Sequence, residues 1–265
     1  MTHATASPLR LGVVSFLNAR PLIEGVVNDP GFSLIFDVPA ALPALLDRGQ
    51  VDAALVPIVD YHRRRDQLRI ISDACIASDG ETLTVRVFSQ APPHLVTQLR
   101  ADPDSHTSVM LARILWRELF NRELLVTPLL REHSALSTQH SGLTSDAVLL
   151  IGDKVVTDRP RGYGFEIDLG AAWKYATGLP MVFAVWVCPN SLARDRVERL
   201  SVALAASRDL GVSRAAQIAE RDATAHGWPP QLARYYLSEA IWYRLDDRAR
   251  AGMLRFLGMA EPLLR

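Results

Sequence analysis

Leu9 to Ser15 (LRLGVVS) is a continuous apolar, β-branched run, the pattern of a strand buried on both faces. It ends in Ser15-Phe16-Leu17-Asn18 ahead of a predicted helix. Ser33 to Val38 (SLIFDV) reads as a second strand. Pro39 to Arg48 follows with helical spacing, Pro39 suiting a first helical turn and Gly49 a C-terminal cap. Val51 to Val56 (VDAALV) returns as a third strand, so the chain opens β-α-β-α-β and predicts a parallel sheet. Further along, Thr84 to Phe88, Leu124 to Leu129, Val148 to Ile151 and Met181 to Val187 read as strands. Ser108 to Phe120 carries Leu111, Ile114, Leu115 and Leu119 at helical spacing, and residues 191–257 read as helices.

This order predicts an α/β protein of two lobes. The first is built by residues 1–88 and 183–265, the second is inserted as residues 89–182, and strand ends from both meet at a shared ligand cleft. A length of 265 residues accommodates two lobes, and no repeat or low-complexity segment calls for a further domain.

Lysine plus arginine equal aspartate plus glutamate at 29 each, so there is no global field to gather nucleic acid or an anionic membrane, and a small molecule is the expected partner. Met1 to Pro8 carries no basic start followed by an apolar run, and no stretch approaches the roughly 20 apolar residues of a membrane span. A cytoplasmic protein is expected, its oligomeric state left open. Cys75 and Cys188 lack metal or redox spacing, and Cys75 reads as a buried apolar residue. The histidines His3, His62, His94, His106, His133, His140 and His226 are scattered without ligand spacing, so no metal is expected. GxGxxG, P-loop, HExxH and GxSxG patterns are all absent. Arg63-Arg64-Arg65 reads as a solvated helix end.

Candidate chemistry gathers at the strand ends. Ser15 and Asn18 follow the first strand, where a carboxamide serves a carboxylate and a hydroxyl at once, or simply closes an Asx turn; Arg20 nearby is a carboxylate clamp or a solvated side chain. Ser105-His106-Thr107-Ser108 precedes the amphipathic helix. Hydroxyls, free N–H groups and the helix dipole there make an anion seat or an ordinary cap. Gly152-Asp153 ends a buried strand and orients a ligand hydroxyl or forms a plain turn. Thr84 and Arg86 share one strand face, Arg86 reading as a bidentate carboxylate partner or as half of a lobe-to-lobe salt bridge.

The strings LGVVSFLNARPL (Leu11 to Leu22), GQVDAALVPIVDY (Gly49 to Tyr61), CIASDG (Cys75 to Gly80), TVRVFS (Thr84 to Ser89), SHTS (Ser105 to Ser108), AVLLIGD (Ala147 to Asp153) and DLGAAWKYATGLPMVFAVW (Asp168 to Trp186) occur in order over residues 9–190. Together they resemble the MqnA family, the chorismate dehydratases of the futalosine route to menaquinone. The resemblance implies a fold like the type II periplasmic binding proteins and a cofactor-independent lyase. It would convert chorismate to 3-[(1-carboxyvinyl)oxy]benzoate and water. Asn18 and Thr84 would act at the reacting centre, while Ser15, Arg86, Ser105, His106, Thr107, Ser108, Gly152 and Asp153 would bind substrate. It also implies that the substrate's own enolpyruvyl carboxylate takes the proton. His106 stands where the family's SRTS string has arginine, and Glu81 and Leu83 depart from its GPVRSVR segment. A sister dihydroxynaphthoate synthase of the same fold is expected to carry histidine where this chain has Gly152.

Overall fold

The computed structural model describes residues 7–129 and 146–264; Met1 to Ala6 with His3, and also His133 and His140, lie outside the described residues. The chain lays down β1 (Leu9–Val14), β2 (Phe32–Asp37), β3 (Ala53–Pro57) and β4 (Leu68–Ser78). It crosses over to build β5 (Val85–Ser89), β6 (Gln98–Ala101), β7 (Leu125–Pro128), β8 (Asp146–Ile151) and β9 (Phe165–Asp168). It then returns as β10 (Met181–Pro189) and β11 (Trp242–Arg244). Two mixed sheets result among the described residues, in the orders β11-β4-β10-β3-β1-β2 and β7-β6-β8-β5-β9.

The expected β-α-β-α-β opening is present, with β1 parallel to β2 on one side and to β3 on the other. This central position explains the unbroken apolar run, since Leu9, Leu11, Val13 and Val14 are all buried. At the sheet edge, β2 alternates partly buried and exposed residues instead.

The boundaries between the lobes correct the expectation. Val85–Ser89 is paired on both sides within the second sheet, to β8 and β9, so the first crossing falls at residues 79–84 rather than after 88. Met181 and Val182 are already paired to β4 in the first sheet. A strand's lobe is fixed by its hydrogen-bonding neighbours, which an alternation pattern does not name.

Two of the crossing residues, Gly80 and Leu83, have positive φ, at 143° and 61°. Leu83 pays steric strain there, and its amide is held by the Asp168 carboxylate at 2.9 Å, which also accepts from Thr82 N at 3.0 Å. The same carboxylate caps the helix Leu169–Thr177 through Gly170 N and Ala171 N. One side chain therefore ties the crossing segment to the start of that helix. The helices Arg194–Ser213 and Asp247–Ala260 then pack onto the first sheet through β4 and β10.

Candidate active site

Strand ends from both sheets enclose a cleft of about 550 Å³, its open mouth included, within the range of small-molecule sites. From the first lobe come Val14, Phe16, Asn18, Pro39, Pro57, Ile76, Phe183, Ala184 and Ile241; from the crossing and the second lobe come Thr82, Thr84, Val85, Ser105, Thr107, Ser108, Ile151 and Gly152. Its polar side chains are one carboxamide and five hydroxyls, with no Asp, Glu, His, Lys or Arg among the described lining residues.

Asn18 sits in the short 3-10 turn that follows β1, and it is buried. Its Nδ2 donates to the Tyr236 hydroxyl at 3.1 Å, and that hydroxyl meets Thr84 Oγ1 at 2.8 Å. Asn18 Oδ1 has no hydrogen-bond partner among the described residues. Tyr236 is fully buried and stacks on Trp228 at 4.7 Å with the rings 16° from parallel. Burial pushes its hydroxyl well above the usual tyrosine range, so it keeps its proton and is no base at neutral pH.

Across the cleft, Ser105 accepts from Ser108 N at 3.1 Å and caps the helix His106–Phe120. The capping alternative is observed, and the cap uses one N–H, leaving the amides of His106 and Thr107 at the head of the helix dipole. Thr107 Oγ1 lies 3.4 Å from Val59 N and 3.5 Å from Phe183 O, on the seam between the lobes.

Four of the residues expected to contact a ligand stand outside the cleft lining, each with protein partners. Arg86 lies two residues beyond Thr84 but outside the cleft lining, paired with Glu81, Glu166 and, at 3.4 Å from Nε, Asp168; these ion pairs stay within the second sheet and the crossing and do not bridge the two lobes. His106 gives its Nδ1 to the buried Asp60 at 2.8 Å and is not part of the lining. Ser15 is also outside the lining, its N–H continuing the β1–β2 ladder to Asp37 O. Asp153 is engaged by three protein donors, taking Leu17 N at 3.1 Å, His226 Nδ1 at 2.7 Å and Trp228 Nε1 at 2.9 Å. Arg20, in turn, donates to His226 Nε2 at 3.3 Å and lies over the Phe36 ring. An acceptor role at Nε2 leaves the hydrogen on Nδ1, which faces Asp153.

Gly152 does reach the cleft, for a reason visible only in three dimensions. Its φ is +70°, and a Cβ there would lie 2.6 Å from the Phe16 ring. Pattern reading missed Phe16, Thr82, Asp168 and Tyr236. Asp168 had a local signal, an Asp before a helical run; Tyr236 had none. No group of three His, Cys, Asp or Glu side chains among the described residues is placed to hold a metal, and no described helix is long and apolar enough to cross a membrane.

Residues 9–262 match the model of a protein family described as menaquinone biosynthesis. The chain belongs to this menaquinone-biosynthesis family. Within it, the chain is 30% identical over 271 residues to a chorismate dehydratase of Thermus thermophilus, covering 94% of each sequence. The fold of this family member is shared with a crystallised protein of Archaeoglobus fulgidus, with a TM-score of 0.75 at 15% identity over 98% of both chains. It is shared too with the periplasmic aliphatic sulphonate binding protein of Escherichia coli, with a TM-score of 0.63 at 14% identity over 98% of this chain and 94% of that one. The two-lobed α/β architecture is thus that of the periplasmic binding proteins.

Proposed function

We propose that this chain is a chorismate dehydratase, a carbon–oxygen hydro-lyase. It would remove the ring C3 proton and the C4 hydroxyl of chorismate to give 3-[(1-carboxyvinyl)oxy]benzoate and water. The observation that carries the reading is a cleft lined by an amide and hydroxyls, set at a capped helix N-terminus, whose described lining holds no side chain able to act as a base at neutral pH. The T. thermophilus relative supports it.

Such a site positions more than it reacts. Ser105, Thr107 and Ser108 receive one carboxylate on the helix N-terminus. Asn18 Oδ1, which lacks a partner among the described residues, accepts a hydrogen bond from the C4 hydroxyl. The enolpyruvyl carboxylate takes the C3 proton, the C3–H electron pair becomes the third ring double bond, and the C4–O bond breaks with its pair going to the departing hydroxyl, which that proton converts to water. Aromatisation drives the step, so the protein's contribution is to hold the one geometry that leads to water loss.

The sister dihydroxynaphthoate synthase reading is opposed by Gly152, because the Phe16 ring occupies the space a histidine there would need. Purified protein incubated with chorismate is expected to form the enolpyruvyl benzoate, followed by chromatography. Demonstrated binding of chorismate without product would overturn the dehydratase and leave a binding protein.

A further inference from the structure

Tyr236 lines no part of the cleft, yet its hydroxyl touches both residues expected at the reacting centre. We infer that Tyr236 is a positioning residue: its hydroxyl holds the Asn18 carboxamide so that Oδ1 faces the ligand, and it ties that amide to Thr84 of the crossing segment. Only the identity of the ligand rests on the dehydratase reading.

The Tyr236 hydroxyl accepts from Asn18 Nδ2 at 3.1 Å and shares a hydrogen bond with Thr84 Oγ1 at 2.8 Å, and Thr84 Oγ1 lies 3.4 Å from Thr82 O. With Thr84 as its acceptor the tyrosine hydrogen is committed there, and a carboxamide turned over would set Oδ1 against an oxygen with no hydrogen to give. Oδ1 is left unpartnered among the described residues, in a residue that lines the cleft and is only 8% exposed. The ring is itself immobilised, since it stacks on Trp228, whose Nε1 donates to Asp153 at 2.9 Å. Tyr236 also begins a π-helical turn, Tyr236–Ala240, an irregularity common at functional sites. Asn18, Tyr236 and Thr84 come from opposite ends of the chain, so the amide is fixed only when the crossing segment and the C-terminal helices are both seated.

Tyr236→Phe keeps the stack and deletes the hydroxyl. With chorismate, kcat is expected to fall about 10- to 100-fold while KM stays within about twofold, as for loss of orientation without loss of binding. In an Asn18→Ala background the same change is expected to add less than about twofold, because the residue acts through Asn18. Wild-type kcat in Tyr236→Phe, or a full additional loss in the Asn18→Ala background, would overturn the proposal. A second arm needs no substrate: the ¹⁵N–¹H signals of the Asn18 side-chain amide, assigned by their loss in Asn18→Ala, are expected to shift and exchange faster with solvent in Tyr236→Phe. Thr84→Val is expected to shift the same pair, since it frees the tyrosine hydrogen to seek Oδ1. An unmoved amide pair in both variants overturns the positioning role, whereas wild-type protein that makes no product from chorismate overturns the dehydratase reading alone.

Discussion

Asp153, at the end of β8, accepts the Nδ1–H of His226 at 2.7 Å, joining the inserted lobe to the C-terminal helices of the other. The same carboxylate takes Leu17 N and Trp228 Nε1. It is thus a latch across the back of the cleft, and the turn that carries Asn18 is hung from it.

Replacing Asp153 with alanine would leave three N–H donors in a half-buried setting without their acceptor. The expected loss is about 1–3 kcal/mol of unfolding free energy, measured by chemical denaturation. A raised KM for the ligand should accompany it, because the Phe16–Asn18 turn loses its anchor. A change in stability smaller than about 0.5 kcal/mol, the scatter of ordinary surface substitutions, would remove Asp153 as a latch.

Phe16 and Gly152 make the second relationship across the lobes. Gly152→Ala would place a Cβ 2.6 Å from the Phe16 ring on a backbone with φ of +70°. The left-handed conformation alone costs about 1–2 kcal/mol for a residue with a Cβ, and the contact adds to it. In the double variant Phe16→Ala/Gly152→Ala the contact is absent, so its stability loss should be less than the sum of the two single losses. Strict additivity in thermal or denaturant unfolding would show that the ring does not define the space at position 152.

Much of this fold is legible in the sequence where burial is two-sided. β1, β3 and β10 are buried almost throughout and read as continuous apolar runs. β4 escaped, although it is the longest strand among the described residues, and register shifts interrupt its pairing with β10 and β11. At the site, Asn18, Thr84, Ser105, Thr107, Ser108 and Gly152 were marked by strand ends or a capping pattern, and all line the cleft. Arg86, His106 and Asp153 were marked by the same logic but found protein partners first. Charge and position do not reveal whether Glu81, Glu166 and Asp168, or Asp60, will reach a cation before a ligand does. Tyr236 lies more than two hundred residues from Asn18 in a helical stretch without turn or motif, so only the tertiary fold could identify it.

The crossing also carries a pH dependence. Asp79 opens it, with Lys174 Nζ at 2.5 Å from the inserted lobe's helix and Arg248 at 3.1 Å from the C-terminal helix. Burial pushes the Asp79 carboxyl up, but Lys174 and Arg248 together outweigh it and hold the group below its ordinary range. A carboxylate with a lowered folded-state value contributes its full stabilisation above the unfolded value, near about 3.9, and loses it as pH falls through the folded value. Asp79→Asn should therefore be less stable than wild type at pH 7, with the difference shrinking once the pH drops below about 4. Denaturant titrations of both proteins at pH 7, 5, 4 and 3 check this. A gap that persists undiminished at pH 3 would mean that the carboxylate charge at Asp79 does not secure the crossing, and that shape or hydrogen bonding of the side chain does.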